Sequence, residues 1–130
     1  MPIRLAVLRR WRQLFAFLLI SLLAVAPAAA DPSGRVGRIA WLSGSVHLHR
    51  SDSGESSSAL LNWPISTGDV LSTGAGARGE VQIGSTLLQL DSGSVLDFVQ
   101  VDDQRVHLRL LEGSVIARLR SADAASEFEI

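Results

Sequence analysis

The sequence contains no cysteine and no lysine, and aromatic residues make up only 5% of it. Without cysteine the chain has no disulfide framework, thiolate metal site, iron–sulfur cluster or cysteine nucleophile. All 12 basic residues are arginines, and four of them lie in the first 30 residues, which contain no acid. The remainder carries eight arginines against 13 acidic residues, a net charge of −5. A body of this charge repels a phosphate backbone, so we expect no nucleic-acid partner.

The first 30 residues have the layout of a secretory signal peptide. A basic segment precedes an uncharged, mostly apolar run over residues 14–26, and Pro27 and small residues follow. These 13 residues are fewer than the roughly 20 that a membrane-spanning helix needs. We therefore predict a helical signal peptide over residues 1–30, with cleavage between Ala30 and Asp31. An uncleaved inner-membrane anchor is the alternative, and it is the only membrane contact that we expect.

The organisation that follows is a short linker over residues 31–35 and one β domain over residues 36–130. In this domain the apolar residues repeat with period two: Val46 and Leu48 alternate with histidines, and the pattern recurs over residues 81–83 and 106–110. This alternation is typical of half-buried strands. We predict an all-β fold, a compact sandwich or jelly-roll-like domain of roughly eight or nine short antiparallel strands. A flattened β-solenoid is the alternative.

Three local predictions refine this fold. Residues 104–110, a turn at residues 111–113 and residues 114–119 are typical of a β-hairpin. The serine-rich residues 51–58 predict a solvated loop. No stretch after Asp31 has the caps and the periodicity of a helix of about ten residues.

Trp41 and Trp63 are the bulkiest side chains of the domain, where Phe98 and Phe128 are the other aromatic residues. We expect both tryptophans to be buried, because aromatic side chains supply large apolar areas to a small core. Trp63 has a second interpretation, as an exposed contact for a sugar or a partner protein. The predicted core comprises Val36, Ile39, Trp41, Val46, Leu48, Val70, Val81, Ile83, Leu88, Leu90, Val95, Phe98, Val106, Leu108, Leu110, Val115 and Leu119.

A glycine-rich corner over residues 64–74 reads PISTGDVLSTG. A G-x-V strand start precedes it at Gly44, and another follows at Gly113. In this order the features resemble the FecR-type β domain, and the resemblance covers about residues 36–130. The corner residues that match the family motif are Thr67, Gly68, Asp69, Thr73 and Gly74.

The resemblance implies a bacterial envelope protein. The best-known FecR group relays a signal from an outer-membrane iron–siderophore transporter to a cytoplasmic sigma factor, which its cytoplasmic helical domain binds. Only 13 residues precede the apolar run, too few for such a domain, so the chain is closer to the stand-alone secreted FecR-like proteins. The family pattern continues beyond a strand such as residues 127–130. We therefore expect a domain that is incomplete at its C-terminus, either truncated or completed by a partner.

Candidate metal ligands are three histidines. His47 and His49 share one face of a strand and could bind a metal with a third ligand such as His107. Their alternation with apolar residues also places all three on the solvent side of a sheet, and the spacing lacks the signature of a zinc site. We predict no metal site. The same holds for a calcium site at Asp97, Asp102 and Asp103, because the EF-hand spacing is absent.

The sequence has no motif of a serine hydrolase, a zinc protease or a phosphate-binding loop. We therefore predict no catalytic residues, no cofactor and no enzyme activity, and we expect Asp69 to bond backbone amides of its own turn. The predicted function is a non-catalytic periplasmic module that binds an envelope protein or takes part in envelope signalling, by strand addition at a sheet edge. The alternatives are a carbohydrate- or peptidoglycan-binding module that uses Trp63, and a truncated structural fragment without independent activity.

Overall fold

The computed structural model describes residues 35–130. The predicted signal peptide, its cleavage site at Ala30 and Asp31, and residues 31–34 of the linker lie outside the described residues. The all-β prediction is confirmed, because the described residues form eleven strands and a single short helix. In chain order these are β1 (Gly37–Ser43), β2 (Val46–His49), β3 (Ser56–Ser58), β4 (Pro64–Ile65), β5 (Val70–Thr73), β6 (Arg78–Ile83), β7 (Thr86–Leu90), β8 (Val95–Val101), β9 (Val106–Glu112), β10 (Val115–Arg118), α1 (Ala122–Glu127) and β11 (Phe128–Glu129).

The strands form two sheets. The first sheet has the order β10-β7-β6-β1-β4, and the second has the order β11-β9-β8-β5-β2-β3. All pairs are antiparallel except β11 with β9, where Phe128 lies opposite Val106 in a parallel register. This arrangement is the predicted sandwich, and its antiparallel pairing differs from the stacked coils of the solenoid alternative.

The core lies along strands whose buried and more exposed residues alternate. In β7, Leu88 and Leu90 are buried while Leu87 and Gln89 are half-buried, as expected for a sheet with one face toward the core. Each fully buried Leu or Val contributes about 1.5–3 kcal/mol to folding. The predicted core residues that are buried are Ile39, Val46, Leu48, Val81, Ile83, Leu88, Leu90, Phe98, Val106 and Leu108. Those that are half-buried are Val70, Val95, Leu110 and Val115.

Three predicted core residues, Val36, Trp41 and Leu119, are exposed instead. Val36 precedes the first residue of β1 and Leu119 follows the last residue of β10, so neither lies within a paired strand. Trp41 is turned outward by a bulge in β1, described below. The buried apolar residues that the prediction omitted are Ala59, Ile65, Leu71, Ala77, Leu96 and Val101.

The predicted hairpin between residues 104–110 and 114–119 is wrong. β10 follows β9 in the chain but pairs with β7 in the other sheet, with Val115 opposite Leu90. The connection is a corner between the sheets. At its centre Gly113 has φ +76°, and a Cβ there would lie 2.6 Å from Ser94 Cα. Ser94 Oγ accepts a 3.0 Å hydrogen bond from Ser114 N and donates one of 3.0 Å to Ser114 O, which fixes this corner.

One further segment differs from the prediction, and one helix is shorter than the length that the prediction considered. Within the serine-rich loop, Ser56–Ser58 forms β3, which pairs with β2 at the edge of the second sheet. The six-residue helix α1 lies between β10 and β11. It is capped by Ser121, whose Oγ accepts a 3.3 Å hydrogen bond from Ala124 N, and such caps stabilise helix N-termini. A helix this short has too few turns for a periodic signal.

Candidate functional site

A β-bulge in β1 turns Trp41 out of the core. Ile39 lies opposite Val81, but Trp41 lies opposite the neighbouring Glu80, so Ala40 is an extra residue in β1. An extra residue shifts the alternation by one position and sends the following side chain to the other face. Ile39 is therefore fully buried, whereas Trp41 is 45% exposed. The core assignment of Trp41 is wrong because the bulge, and not the apolar area of the side chain, decides which face of the sheet it occupies.

The register places four side chains in one row across the outer face of the first sheet. Trp41 of β1 lies opposite Glu80 of β6. Glu80 lies opposite Gln89 of β7, and Gln89 lies opposite Ile116 of β10. Gln89 Nε2 donates a 2.7 Å hydrogen bond to Glu80 Oε1. Since neighbouring strands are about 4.8 Å apart, the row extends over roughly 14 Å.

An ion pair lies beside this row. Arg78 Nε is 3.1 Å from Asp91 Oδ1, and both side chains are more than half exposed. Together with Trp41, Glu80, Gln89 and Ile116, these two residues line a groove of about 360 Å³. Small-molecule sites commonly measure roughly 300–1,000 Å³, so the groove is large enough for a small ligand. We call these six residues the Trp41 groove.

A second exposed feature is the outer edge of β10. This strand is the last in the order of the first sheet, and no described strand pairs with its other side. Ile116 is 60% exposed and Leu119, the residue after the strand, is 39% exposed. Arg118 and Arg120 are also exposed, and neither pairs with an acid whose side chain the structure describes. The edge therefore combines free backbone groups, apolar side chains and positive charge.

The first half of the family-motif corner links β4 of the first sheet to β5 of the second. Thr67 Oγ1 accepts a 2.9 Å hydrogen bond from Val101 N, and Gly68 N donates one of 2.6 Å to Phe98 O. Gly68 has φ +86°, and a Cβ there would lie 2.8 Å from Ser51 Cβ. These contacts attach the corner to β8, so the residues position the chain rather than face a ligand.

The second half of the corner makes the same kind of contact. Thr73 is buried; its Oγ1 donates a 2.6 Å hydrogen bond to Asp91 O and accepts one of 2.8 Å from Ser94 N. Gly74 N donates a 2.8 Å hydrogen bond to Ser45 O. Thr73 thus connects β5 to the loop before β8. That loop also carries Asp91, so the motif supports one wall of the Trp41 groove indirectly.

Asp69 is the one buried acid among those whose side chains the structure describes, at 2% exposure. Its Oδ2 accepts a 2.9 Å hydrogen bond from Ser66 N in its own turn, and its Oδ1 accepts one of 3.0 Å from Ser51 N in the serine-rich loop. Arg50 Nη1 lies 3.6 Å from Oδ2. A buried carboxylate needs such partners because its desolvation is costly. Asp69 therefore joins two loops.

Trp63, the predicted partner contact, is half-buried and packs against the core. The guanidinium of Arg50 lies 5.5 Å from the centre of its ring, within cation–π range. Arg50 Nη1 also donates a 2.9 Å hydrogen bond to Pro64 O. Trp63 is therefore engaged by its own chain, and the more exposed tryptophan of the described residues is Trp41.

The three candidate histidines do not lie close enough to one another to share a metal ion. His47 and His49 lie exposed on β2, whereas His107 lies half-buried on β9. Since β5 and β8 separate β2 from β9 in the second sheet, His107 lies about 14 Å from the pair. Metal ligands share an ion at about 2 Å each, so His107 cannot complete a site with His47 and His49.

The three aspartates have separate partners. Asp97 lies opposite Arg109 in the register of β8 and β9, and Asp103 Oδ1 accepts a 2.8 Å hydrogen bond from Arg35 N. Asp102 accepts hydrogen bonds from the Gln100 side chain and from the backbone N–H groups of Arg105 and Gln104, and these hold its carboxyl pKa below the usual value. Over residues 35–130 no group of three acidic or histidine side chains is placed to hold a metal ion.

The Trp41 groove is the feature that sequence reasoning missed. Its signal is present, because residues 39–42 read IAWL, four consecutive apolar residues that interrupt the period of two. Such a run also occurs in strands that are buried on both faces, so it shows that the alternation fails at Trp41 without identifying the bulge. The cross-strand neighbours Glu80 and Gln89 have no sequence signal, since their register depends on long-range pairing.

Comparison with known proteins gives no match: no family model, curated protein or solved structure is similar to this chain. Across residues 35–130 the structure contains no helix with the length and apolar character that a bilayer span requires.

Proposed function

We propose that this chain is a non-catalytic, FecR-like interaction module of the bacterial envelope, which binds another envelope protein through the free edge of β10. The observation that carries the proposal is the combination of exposed Ile116 and Leu119 with an unpaired strand edge. Natural proteins usually protect such edges with charge, proline or a covering segment. The β10 edge carries charge at Arg118 but no described strand covers it, so its free backbone groups and apolar side chains are suited to receive an added strand.

The charge of this edge specifies the partner segment. Arg118 lies within β10 and Arg120 follows Leu119, and both are exposed. An extended segment with alternating apolar and acidic residues would complement them, because opposite charges across an interface favour association and fix the register. The partner we propose is therefore an envelope protein with an exposed, acidic extended segment.

Two sequence features support an envelope location. The signal-peptide pattern of the first 30 residues directs the domain out of the cytoplasm, and the residue 64–74 corner resembles the FecR-type domain. In the structure the corner residues link strands, and Thr67, Asp69 and Thr73 make their hydrogen bonds within the chain. These contacts give the corner residues a role in fold maintenance, so we propose the binding surface at β10 and not at the corner.

The experiment is site-specific photocrosslinking in the native host. A photoreactive amino acid replaces Leu119 in the full chain. A control places it at Ser57 in β3, which is an edge strand of the second sheet, whereas β10 is an edge strand of the first. Arg118→Glu is combined with the Leu119 probe to test the charge contribution. Circular dichroism of each purified variant checks that it is folded.

We expect one discrete envelope-protein adduct from position 119, with a yield well above that from position 57 and a lower yield with Arg118→Glu. Purified partner and chain should then bind directly, and Arg118→Glu should weaken that binding. Folded protein with equal adducts at both positions, or none at either, would contradict the proposal.

A further inference from the structure

We infer that the Trp41 groove is a binding site for an oligosaccharide. The groove lies on the outer face of the first sheet and is distinct from the backbone edge of β10 in the proposed function. The lining residues that bear on the ligand are Trp41, Arg78, Glu80, Gln89, Asp91 and Ile116.

The side chain of Trp41 points away from the core. The Ala40 bulge sends this side chain outward, although burial in the core would remove more apolar area from water. Bulges often lie next to functional sites, where they re-aim a side chain. The exposed indole offers a flat apolar surface, and a sugar ring has one apolar C–H face that can pack against it.

Polar groups that can form further hydrogen bonds lie next to the indole. Glu80 has one oxygen bonded to Gln89 Nε2 at 2.7 Å, which leaves its other oxygen as an acceptor. Gln89 keeps its carbonyl oxygen and one N–H, and Arg78 keeps its Nη donors beyond the Nε bond to Asp91. Hydrogen-bond donors and acceptors therefore lie next to one another in the groove. Each sugar hydroxyl both donates and accepts, so such a mixed row suits vicinal hydroxyls.

The charges of the groove and the strand pairing beneath it disfavour other classes of ligand. Arg78 is outnumbered by Glu80 and Asp91 within the groove, so a phosphate or nucleic acid would be repelled. A wholly apolar ligand would desolvate these charged groups without replacing their hydrogen bonds. An added peptide strand needs free backbone groups, but β1, β6 and β7, which carry Trp41, Glu80 and Gln89, are each paired on both sides, so a strand could be added only at the edge of β10 beside the groove.

The length of the row of side chains indicates the size of the ligand. The row from Trp41 to Ile116 crosses four strands, and at a strand spacing of about 4.8 Å it extends over roughly 14 Å. The groove that contains these residues has a volume of about 360 Å³. An elongated ligand of linked sugar rings fits this shape better than a single ring. Ile116 provides a second apolar contact at the far end.

The test measures binding of two soluble probes to the full chain by calorimetry, an oligomer of N-acetylglucosamine and an oligomer of glucose. The first represents peptidoglycan-type glycans and the second a neutral exopolysaccharide. Trp41→Ala removes the stacking surface, and Leu60→Ala is the matched control because Leu60 is exposed but does not line the groove. Since Trp41 is half exposed, we expect Trp41→Ala to retain the fold, which circular dichroism checks.

We expect at least one probe to bind and Trp41→Ala to weaken that binding about tenfold or more, with Leu60→Ala unchanged. The tryptophan fluorescence change on binding should persist in Trp63→Phe and disappear in Trp41→Phe. Absence of binding by both probes, or equal binding by folded Trp41→Ala, would overturn the proposal. A protein adduct from a photocrosslinker at position 41, with no sugar binding, would assign the groove to a protein instead. The result is independent of crosslinking from Leu119.

Discussion

Replacing Asp69 by alanine tests how much of the fold depends on its buried carboxylate. The substitution removes two short hydrogen bonds, from Ser66 N at 2.9 Å and from Ser51 N at 3.0 Å. Hydrogen bonds to a charged group contribute about 1.5–3 kcal/mol each. Relief of the desolvation of a carboxylate that is 2% exposed offsets part of the loss. We therefore expect a destabilisation of about 3 kcal/mol, near the lower end of the sum.

The assay is urea unfolding followed by far-UV circular dichroism, with thermal unfolding alongside. A loss of about 3 kcal/mol lowers the Tm of a domain of this size by roughly 12–24 °C. Asp69→Asn should be intermediate, because its amide keeps one acceptor oxygen but directs an NH2 group at the second backbone donor. Asp52→Ala is the control, since this exposed residue of the adjacent loop should change stability by less than about 0.5 kcal/mol.

An Asp69→Ala chain that unfolds within about 0.5 kcal/mol of the original would refute this account of the corner. Equal losses for Asp69→Ala and Asp52→Ala would refute it as well. The first outcome would mean that water satisfies the two amides equally well. The second would mean that the loss arises from loop charge in general rather than from buried hydrogen bonds.

Two other predictions concern the corner between the sheets and the loop before β9. Gly113→Ala should destabilise the protein by about 2 kcal/mol or more, because a Cβ at φ +76° is strained and meets Ser94 Cα at 2.6 Å; thermal unfolding measures this, and an unchanged Tm would contradict the corner geometry. Asp102 should titrate below its usual pKa of 3.8, because the Gln100 side chain and the backbone N–H groups of Arg105 and Gln104 donate to it. Since the folded pKa is lowered, its stabilising effect is present above the unfolded pKa and is lost as the pH falls through the folded pKa. NMR titration of the carboxyl measures this, and a pKa at or above 3.8 would disprove the turn geometry.

Sequence periodicity predicted the fold class and the inner faces of most strands, because alternation is local. It assigned Val106 and Leu108 to the core correctly, and both are buried on β9. The apolar area of its side chain predicted Trp41 in the core, and this failed because one extra residue in β1 reverses the alternation there. In β5 the predicted core included Val70, whereas Leu71 is the fully buried residue.

Local sequence patterns could not predict which strands pair with one another. The segment after Gly113 has the sequence of the second strand of a hairpin, yet it crosses to the first sheet, where Val115 meets Leu90. The difference depends on Ser94, 20 residues away, whose hydroxyl bonds the backbone of Ser114. For the same reason, Glu80 and Gln89 could not be recognised as neighbours of Trp41 from the sequence.

The central claim is that the β10 edge receives an envelope protein, and the most direct measurement is the photocrosslinking yield from position 119 relative to position 57 in intact cells. The account predicts one discrete adduct that is strong at 119, weak at 57 and reduced by Arg118→Glu. Folded protein that gives no adduct at 119 above the level at 57 would contradict it.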